Sequence, residues 1–272
     1  MTAASLPAAT RMGRVDLTVA DADRERRFYR EVIGLPDERG LVGFHEDPTA
    51  RAPDPHATGL FHMAILLPTR RDLALSLVRL GRAGWPLSGA SDHLVSEALY
   101  LSDPEGNGIE IYRDRPREQW PRAGDGVRID TLPLDLEDVL RELDGDPGDP
   151  GAVPAATTVG HVHLKVSDIA ASEDFYTRVL GFDVMAHMPS ASFVSAGGYH
   201  HHLGMNVWHS RGGPMPAPGA LGLRSYEVVL PEAGDVEVAH DRLAATGVKV
   251  ERSNGSVAAT DPSGNRFLLR AA

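Results

Sequence analysis

The sequence predicts an α+β protein built from four similar strand–helix–strands units, two in each half of the chain. Three observations carry this. Gly13, Val15, Leu17, Val19, Asp21, Phe28, Tyr29, Val32 and Gly34 recur at Gly160, Val162, Leu164, Val166, Asp168, Phe175, Tyr176, Val179 and Gly181, always 147 residues on. Leu67-Pro68 and Gly84 answer to Leu230-Pro231 and Gly247, 163 residues on, and Asp103-Pro104-Glu105-Gly106-Asn107 answers to Asp261-Pro262-Ser263-Gly264-Asn265 at 158. Each repeated block also changes its apolar period from two to about 3.6, as a strand followed by an amphipathic helix requires.

In chain order, residues 13–19 alternate as a strand. Asp21 then has the acceptor side chain of a helix N-cap, Phe28, Tyr29 and Val32 mark a buried helix face, and Gly34 ends it. The second unit opens on the strand around His62 and continues into an amphipathic helix over 70–83. Thr69 and Asp72 have capping-box spacing before that helix. The third and fourth units repeat this plan, with a helix over 232–245 in the last. Residues 113–157 are rich in Pro, Gly and Asp and hold one short helical candidate at 136–143. The expected division is residues 1–115, a linker at 116–157 that packs on the surface, and residues 158–272.

Charge and composition narrow the function. Lys and Arg number 27 against 38 Asp and Glu, a net charge of −11. That sign repels a nucleic-acid backbone and an anionic membrane, so neither is expected as a partner. No apolar run approaches the ~18 residues of a bilayer span, and the first residues lack a secretory pattern. Cysteine is absent, which removes disulfides, thiolate metal sites and iron–sulfur clusters. Twelve histidines remain for nitrogen-and-oxygen metal chemistry. A cytoplasmic enzyme fits this balance, and a homo-oligomer is compatible with it.

The chemistry concentrates between Ser91 and Tyr112. A strand carrying Leu99 and Tyr100 leads into a turn at Asp103-Pro104-Glu105-Gly106-Asn107-Gly108, where Pro fixes φ and Gly and Asn tolerate positive φ. On the returning strand the period of two sends Ile109 and Ile111 to one face and Glu110 to the other. A carboxylate between isoleucines reads either as a solvated strand face or as a ligand.

The run His93, five residues, Leu99-Tyr100, two residues, Asp103-Pro104, one residue, Gly106, three residues, Glu110 resembles the signature of type I extradiol ring-cleavage dioxygenases. These belong to the vicinal-oxygen-chelate superfamily, also known for its glyoxalase and bleomycin-resistance members. Ser91, two residues before His93, departs from the usual pattern. The resemblance implies four βαβββ modules closing as two half-barrel units, with metal ligands on the first and last strands of a module. Those positions hold Arg14 in the first module, His62 and Glu110 in the second, and Ser225 and Leu268 in the fourth. In the third, His161 holds the position, with His163 two residues on.

His62, Glu110 and His161 would then make the two-histidine, one-carboxylate triad of non-haem Fe(II) oxygenases, a set that also suits Mn(II). Because only the second and third modules are equipped, the site is expected between the halves. The resemblance further implies that a histidine of the run His200-His201-His202 lies beside dioxygen, with His202 preferred and His201 next. It implies that His93 and Tyr100 hydrogen-bond the substrate. His45, His56, His187, His209 and His240 have no distinguishing spacing, and Asp16 and Glu46 remain outside candidates. The expected activity is Fe(II)-dependent extradiol cleavage of catechol or a substituted catechol by O2, of the catechol 2,3-dioxygenase kind. The alternatives are a glyoxalase-like lyase or isomerase and a metal-free small-molecule-binding resistance protein.

Overall fold

The computed structural model describes residues 5–272. The first unit contains β1 (Arg11–Val19), α1 (Ala22–Phe28) and β2 (Val42–Glu46). The second contains β3 (Gly59–Leu67), α2 (Arg70–Arg82), β4 (Gly89–Asp92), β5 (Ser96–Ser102) and β6 (Gly108–Asp114). Short strands β7 (Arg122–Ala123), β8 (Gly126–Val127) and β9 (Leu132–Pro133) precede α3 (Leu136–Leu140) in the connecting segment. The third unit holds β10 (Thr158–Lys165), α4 (Ile169–Asp174), β11 (Asp183–Met188), β12 (Ala191–Ser195) and β13 (Leu203–Asn206). The fourth holds β14 (Gly222–Leu230), α5 (Ala233–Ala245), β15 (Glu251–Ser253), β16 (Ser256–Thr260) and β17 (Arg266–Ala271).

The helix signals act as their chemistry demands. Asp21 Oδ1 accepts the Arg24 N–H at 2.8 Å, and Asp168 Oδ1 accepts that of Ala171 at 2.8 Å. Thr69 and Asp72 form the reciprocal capping box ahead of α2. One local feature was not foreseen. α1 and α4 each end in a wider π-helical turn, Tyr29–Ile33 and Phe175–Leu180, closed by Gly34 at φ 79° and Gly181 at φ 95°. A regular helix turns consecutive side chains about 100° apart. The wider turns accompany burial of both Phe28 and Tyr29, and of both Phe175 and Tyr176.

The first module has fewer strands than its plan. After β2, Pro48, Pro53 and Pro55 interrupt residues 47–58, and a proline has no N–H to give a ladder. The other three modules each supply four strands.

The strands assemble into two principal sheets that cut across the halves. One runs β11-β12-β13-β10-β3-β6-β5-β4-β9 and the other β15-β16-β17-β14-β1-β2. In the first, β10 of the third unit lies antiparallel to β3 of the second, with His163 opposite His62. In the second, β14 lies antiparallel to β1, with Ser225 opposite Asp16. Each sheet therefore joins one unit from each half, and the fold is the α+β, half-barrel type expected. The helices cover one face, where Ile65, Leu67, Ile109 and Ile111 pack in a core with Leu73 and Leu80 of α2. Each such fully buried side chain contributes about 1.5–3 kcal/mol. The opposite, concave face of the nine-stranded sheet carries Glu110 and Tyr112, as the alternation along β6 requires.

The segment expected as a surface linker does more. β9 extends the nine-stranded sheet by pairing with β4, and Trp120 and Val127 are buried. At Gly126 an added Cβ would stand 2.0 Å from the Met185 carbonyl oxygen, so only glycine allows that approach.

Candidate metal centre

Four neighbouring strands, β10, β3, β6 and β5, line the centre of the concave face. Each offers one polar side chain to the same point: His161, His62, Glu110 and Tyr100. The ladder explains this. His161 lies opposite Ala64, Ala64 beside Glu110, and Glu110 opposite Tyr100. A bulge between Val159 and His161 and another after His163 adjust how β10 presents its histidines.

His62 Nε2 is 2.9 Å and His161 Nε2 3.1 Å from the same carboxylate oxygen, Glu110 Oε2. Ligand atoms of these three residues all lie within 4.8 Å of one another, and all three side chains are buried. The approach of His62 Nε2 lacks hydrogen-bond geometry, so that buried nitrogen has no partner. Burial opposes ionisation of Glu110, but His161 and His62 outweigh it and hold the carboxyl well below its usual range. Burial pushes His161 down to about 4, against the pull of Glu110. A neutral imidazole at His161 and an ionised carboxylate at Glu110 are the states a divalent cation requires. The donor set therefore fits a metal. His163 does not join it; its ring packs 4.9 Å from that of His62, and its Nε2 is buried without a partner.

The metal point opens onto a cavity of about 590 Å³, walled by Phe61, Phe193, Trp208, Ile129, Val95 and Met188. His93 and Tyr100 also line it. The Tyr100 hydroxyl and His93 Nε2 are 2.6 Å apart, and His93 Nδ1 lies 2.6 Å from the Asp130 carbonyl oxygen. Since a carbonyl only accepts, Nδ1 carries the hydrogen and Nε2 accepts from Tyr100. Burial and the nearby Glu110 raise the Tyr100 pKa well above the ordinary phenol range, so the hydroxyl keeps its proton.

Within the triple histidine, His201 rather than His202 lines the cavity, its ring 4.0 Å from that of His161. His202 turns away: its Nδ1 accepts the Ala196 N–H at 3.2 Å, and it lines a separate hollow with Arg117, Tyr199 and Thr158. Sequence preferred His202 as the histidine beside dioxygen; of the two it is His201 that lines this cavity.

The other candidates lie apart. His45 and Arg14 both contact Asp16 in the six-stranded sheet, at 2.7 and 3.0 Å. Glu46 accepts the Ala22 N–H. His187 pairs with Glu173, His240 with Asp241, and His56 Nδ1 is 2.9 Å from the His209 carbonyl oxygen. Sequence reading did not single out Asp130, nor Asp114, whose carboxylate lies 2.8 Å from His200 Nε2 and accepts the Tyr199 hydroxyl at 2.9 Å. Asp130 acts through its backbone carbonyl, which leaves no signal in residue type. Asp114 was more accessible, because it stands four residues beyond Glu110 on β6 and alternation returns it to the same face.

Comparison with known proteins agrees with this architecture. The Glyoxalase/Bleomycin resistance protein/Dioxygenase superfamily profile matches residues 158–269. A catechol-2,3-dioxygenase of Bacillus subtilis (strain 168) is 40% identical over 277 aligned residues, covering 95% of this chain and 96% of that protein. A solved structure from Bacillus subtilis subsp. subtilis str. 168 superposes with a TM-score of 0.68 at 13% identity, covering 99% of this chain and 86% of that one. Glyoxalase I from Zea mays gives 0.57 at 16% identity, with 96% and 92% covered. With a relative at that identity along nearly its whole length, the chain belongs to the glyoxalase/bleomycin resistance protein/dioxygenase superfamily.

Proposed function

We propose that the protein is an extradiol dioxygenase that opens catechols beside the vicinal diol, with Fe(II) held by His62, Glu110 and His161. The observation that carries this reading is the convergence of three buried ligand atoms beside the His93–Tyr100 pair in an apolar cavity. Two histidines and a carboxylate leave coordination positions free, and Mn(II) is accommodated by the same donors. When bound, the metal supplies the redox chemistry that lets dioxygen react with the diol. The protein's own part is positioning. His201 and the His93–Tyr100 pair bring hydrogen-bonding groups to the cavity around the metal point, and Phe61, Phe193 and Trp208 offer an aromatic ring an apolar wall.

Among the described residues, the cavity lining contains no Lys or Arg, and its acidic residues are Glu110 and Asp130. A cavity this much larger than a single ring suits a catechol with an apolar substituent and disfavours one with a carboxylate. A glyoxalase-like reaction would call for a fourth protein ligand, and among the described residues no further His, Asp or Glu joins the cluster. A metal-free binding role would leave the buried His62 Nε2 unused. No described helix is long and apolar enough to cross a membrane, and we place the enzyme in the cytoplasm.

Anaerobic purification, metal analysis and oxygen uptake with alkyl- and carboxy-substituted catechols test the proposal. Stoichiometric iron, O2 consumption and a yellow ring-opened product are expected, with the alkyl series faster. Iron without oxygen uptake on any catechol would reject it.

A further inference from the structure

We infer that the pocket where the two large sheets meet, centred on Lys165, is a second binding site that takes a small organic carboxylate, and that the ring-opened acid made in the neighbouring cavity is its ligand. The choice of that acid rests on the extradiol reading; the carboxylate site stands on the pocket alone.

Of the 27 Lys and Arg residues only two are lysines, Lys165 and Lys249. Lys249 lies on the surface and pairs with Glu251 at 3.3 Å. Lys165 ends β10, two residues beyond His163, and lines a pocket of about 310 Å³. It is half-buried and has no acidic or hydrogen-bonding partner among the described residues. Burial lowers its pKa, and no carboxylate acts in the opposite sense. An ammonium partly stripped of water and left unpaired is costly until an anion joins it.

The rest of the lining agrees. Arg224 of β14 brings a second cation, exposed and without an acidic partner among the described residues. Glu105 is the one acid of the lining, and its oxygens are already engaged. They accept the Ala20 and Asp21 N–H groups at 2.8 and 3.0 Å and Arg24 Nη2 at 2.9 Å. Leu60, Pro216 and Leu223 add apolar surface. A hydrated inorganic oxyanion gains little from such walls, whereas an organic acid buries its carbon chain on them. The volume is at the lower end of the range for small-molecule sites.

The neighbouring cavity identifies the acid. Gly106, in the turn that leads to Glu110, lines both this pocket and the metal-side cavity. The metal-side lining has no Lys or Arg among the described residues and holds the Glu110 carboxylate, so it suits an uncharged catechol. Breaking the ring bond beside the diol and adding one oxygen atom of O2 to each carbon gives a carbonyl and a carboxylic acid. That acid is ionised at neutral pH. The product is thus repelled where it forms and attracted by the two cations of the adjoining pocket.

The test is equilibrium dialysis of ¹⁴C-labelled sorbate, a six-carbon dienoic acid, against the iron-loaded, full-length protein under argon with saturating catechol. Catechol fills the metal-side cavity, so retained sorbate reports the second site. One equivalent is expected, displaced weakly by phosphate and not by the uncharged alcohol hexadienol. Lys165→Met keeps the stem without the charge and should weaken sorbate binding at least ~10-fold, whereas Lys249→Met should leave it unchanged. Should Lys165→Met fail to fold, Arg224→Gln, at an exposed position, is expected to weaken binding ~3-fold. Absence of binding, equal binding by wild type and variant, or displacement by hexadienol would overturn the site. The ring-opened product of catechol should displace sorbate more effectively than phosphate does; failure to do so would overturn the choice of ligand. Sorbate binding by a protein that opens no catechol would reject the activity and its product as ligand, and leave the carboxylate site standing.

Discussion

The two large sheets are the same construction with different contents. In each, a first strand from one half pairs antiparallel with a first strand from the other, and His163 opposite His62 in one is matched by Asp16 opposite Ser225 in the other. Gly204 beside His163 answers to Gly43 beside Asp16, and both glycines leave room for a neighbouring side chain that a Cβ would strike. The nine-stranded sheet uses its concave face to bury neutral imidazoles, a carboxylate and a cavity. The six-stranded sheet places Arg14 where the other has His161, and fills the face with paired charges, Arg14 on Asp16 and Arg270 on Glu227 at 2.8 Å, with His45 Nε2 2.7 Å from the same Asp16 oxygen. Those charges are already satisfied by one another and partly exposed. The buried His62 nitrogen is not. An unspent buried ligand atom, more than the shape of the sheet, marks one face as a candidate metal centre and leaves the other as a scaffold.

The comparison breaks most sharply at the ligands. Glu110→Gln or His161→Ala should lower metal affinity by more than ~100-fold, since even the outer partners of ligands are commonly worth 10–100-fold. Arg14→Ala, at the equivalent position of the other sheet, should leave metal content unchanged. Equilibrium dialysis with Fe(II) under argon distinguishes the three proteins, and full iron occupancy in either ligand variant would disprove the assignment. Next come the groups beside the ligands. Tyr100→Phe and His201→Phe should retain iron and slow turnover by about 10²–10⁴-fold, whereas His202→Phe should change kcat far less, because His202 faces a different hollow. Equal losses from His201→Phe and His202→Phe would place both residues at the reaction.

A subtler asymmetry lies at the two repeated turns. Asp103 and Asp261 each accept backbone N–H groups and the amide of the Asn four residues on, and each lies near the Tyr of a wider helical turn. Behind the first turn sits Glu25, wholly buried with neither carboxylate oxygen hydrogen-bonded; its counterpart behind the second is Ser172. Burial, reinforced by Asp103 and Glu105, raises the Glu25 pKa to about 9. The folded protein therefore holds a proton that the unfolded chain releases near pH 4.5. Stability from this group is full below that pH and declines as pH rises toward 9, by at most ~1.4 kcal/mol per pH unit. Glu25→Gln should flatten the decline, measured as urea midpoints from pH 5 to 9. An unaltered slope would show that Glu25 is not the group responsible. The smallest effect is expected at Arg14→Ala, where loss of a partly exposed ion pair should cost under ~1 kcal/mol.

The sequence by itself determined what depends on local chemistry and on period. Caps, turns and the fourfold repeat were legible because Asp, Thr, Pro and Gly act within a few residues of themselves. Candidate ligands could be named too, since Arg14, Ser225 and Leu268 stand in the first and fourth units where the second and third hold His62, Glu110 and His161. Tertiary structure decided what depends on a single residue of register or on the backbone. A strand side chain changes face with each step, so whether His201 or His202 meets the cavity turned on how the chain passes from β12 to β13. The Asp130 carbonyl that orients His93 carries no side-chain signature, and it reaches the site only because the Pro- and Gly-rich connection folds back as a wall of the cavity. Proximity of Asp114 to His200, 86 residues later, exists only once β10 has paired with β3. Contacts at that separation belong to the assembled sheet.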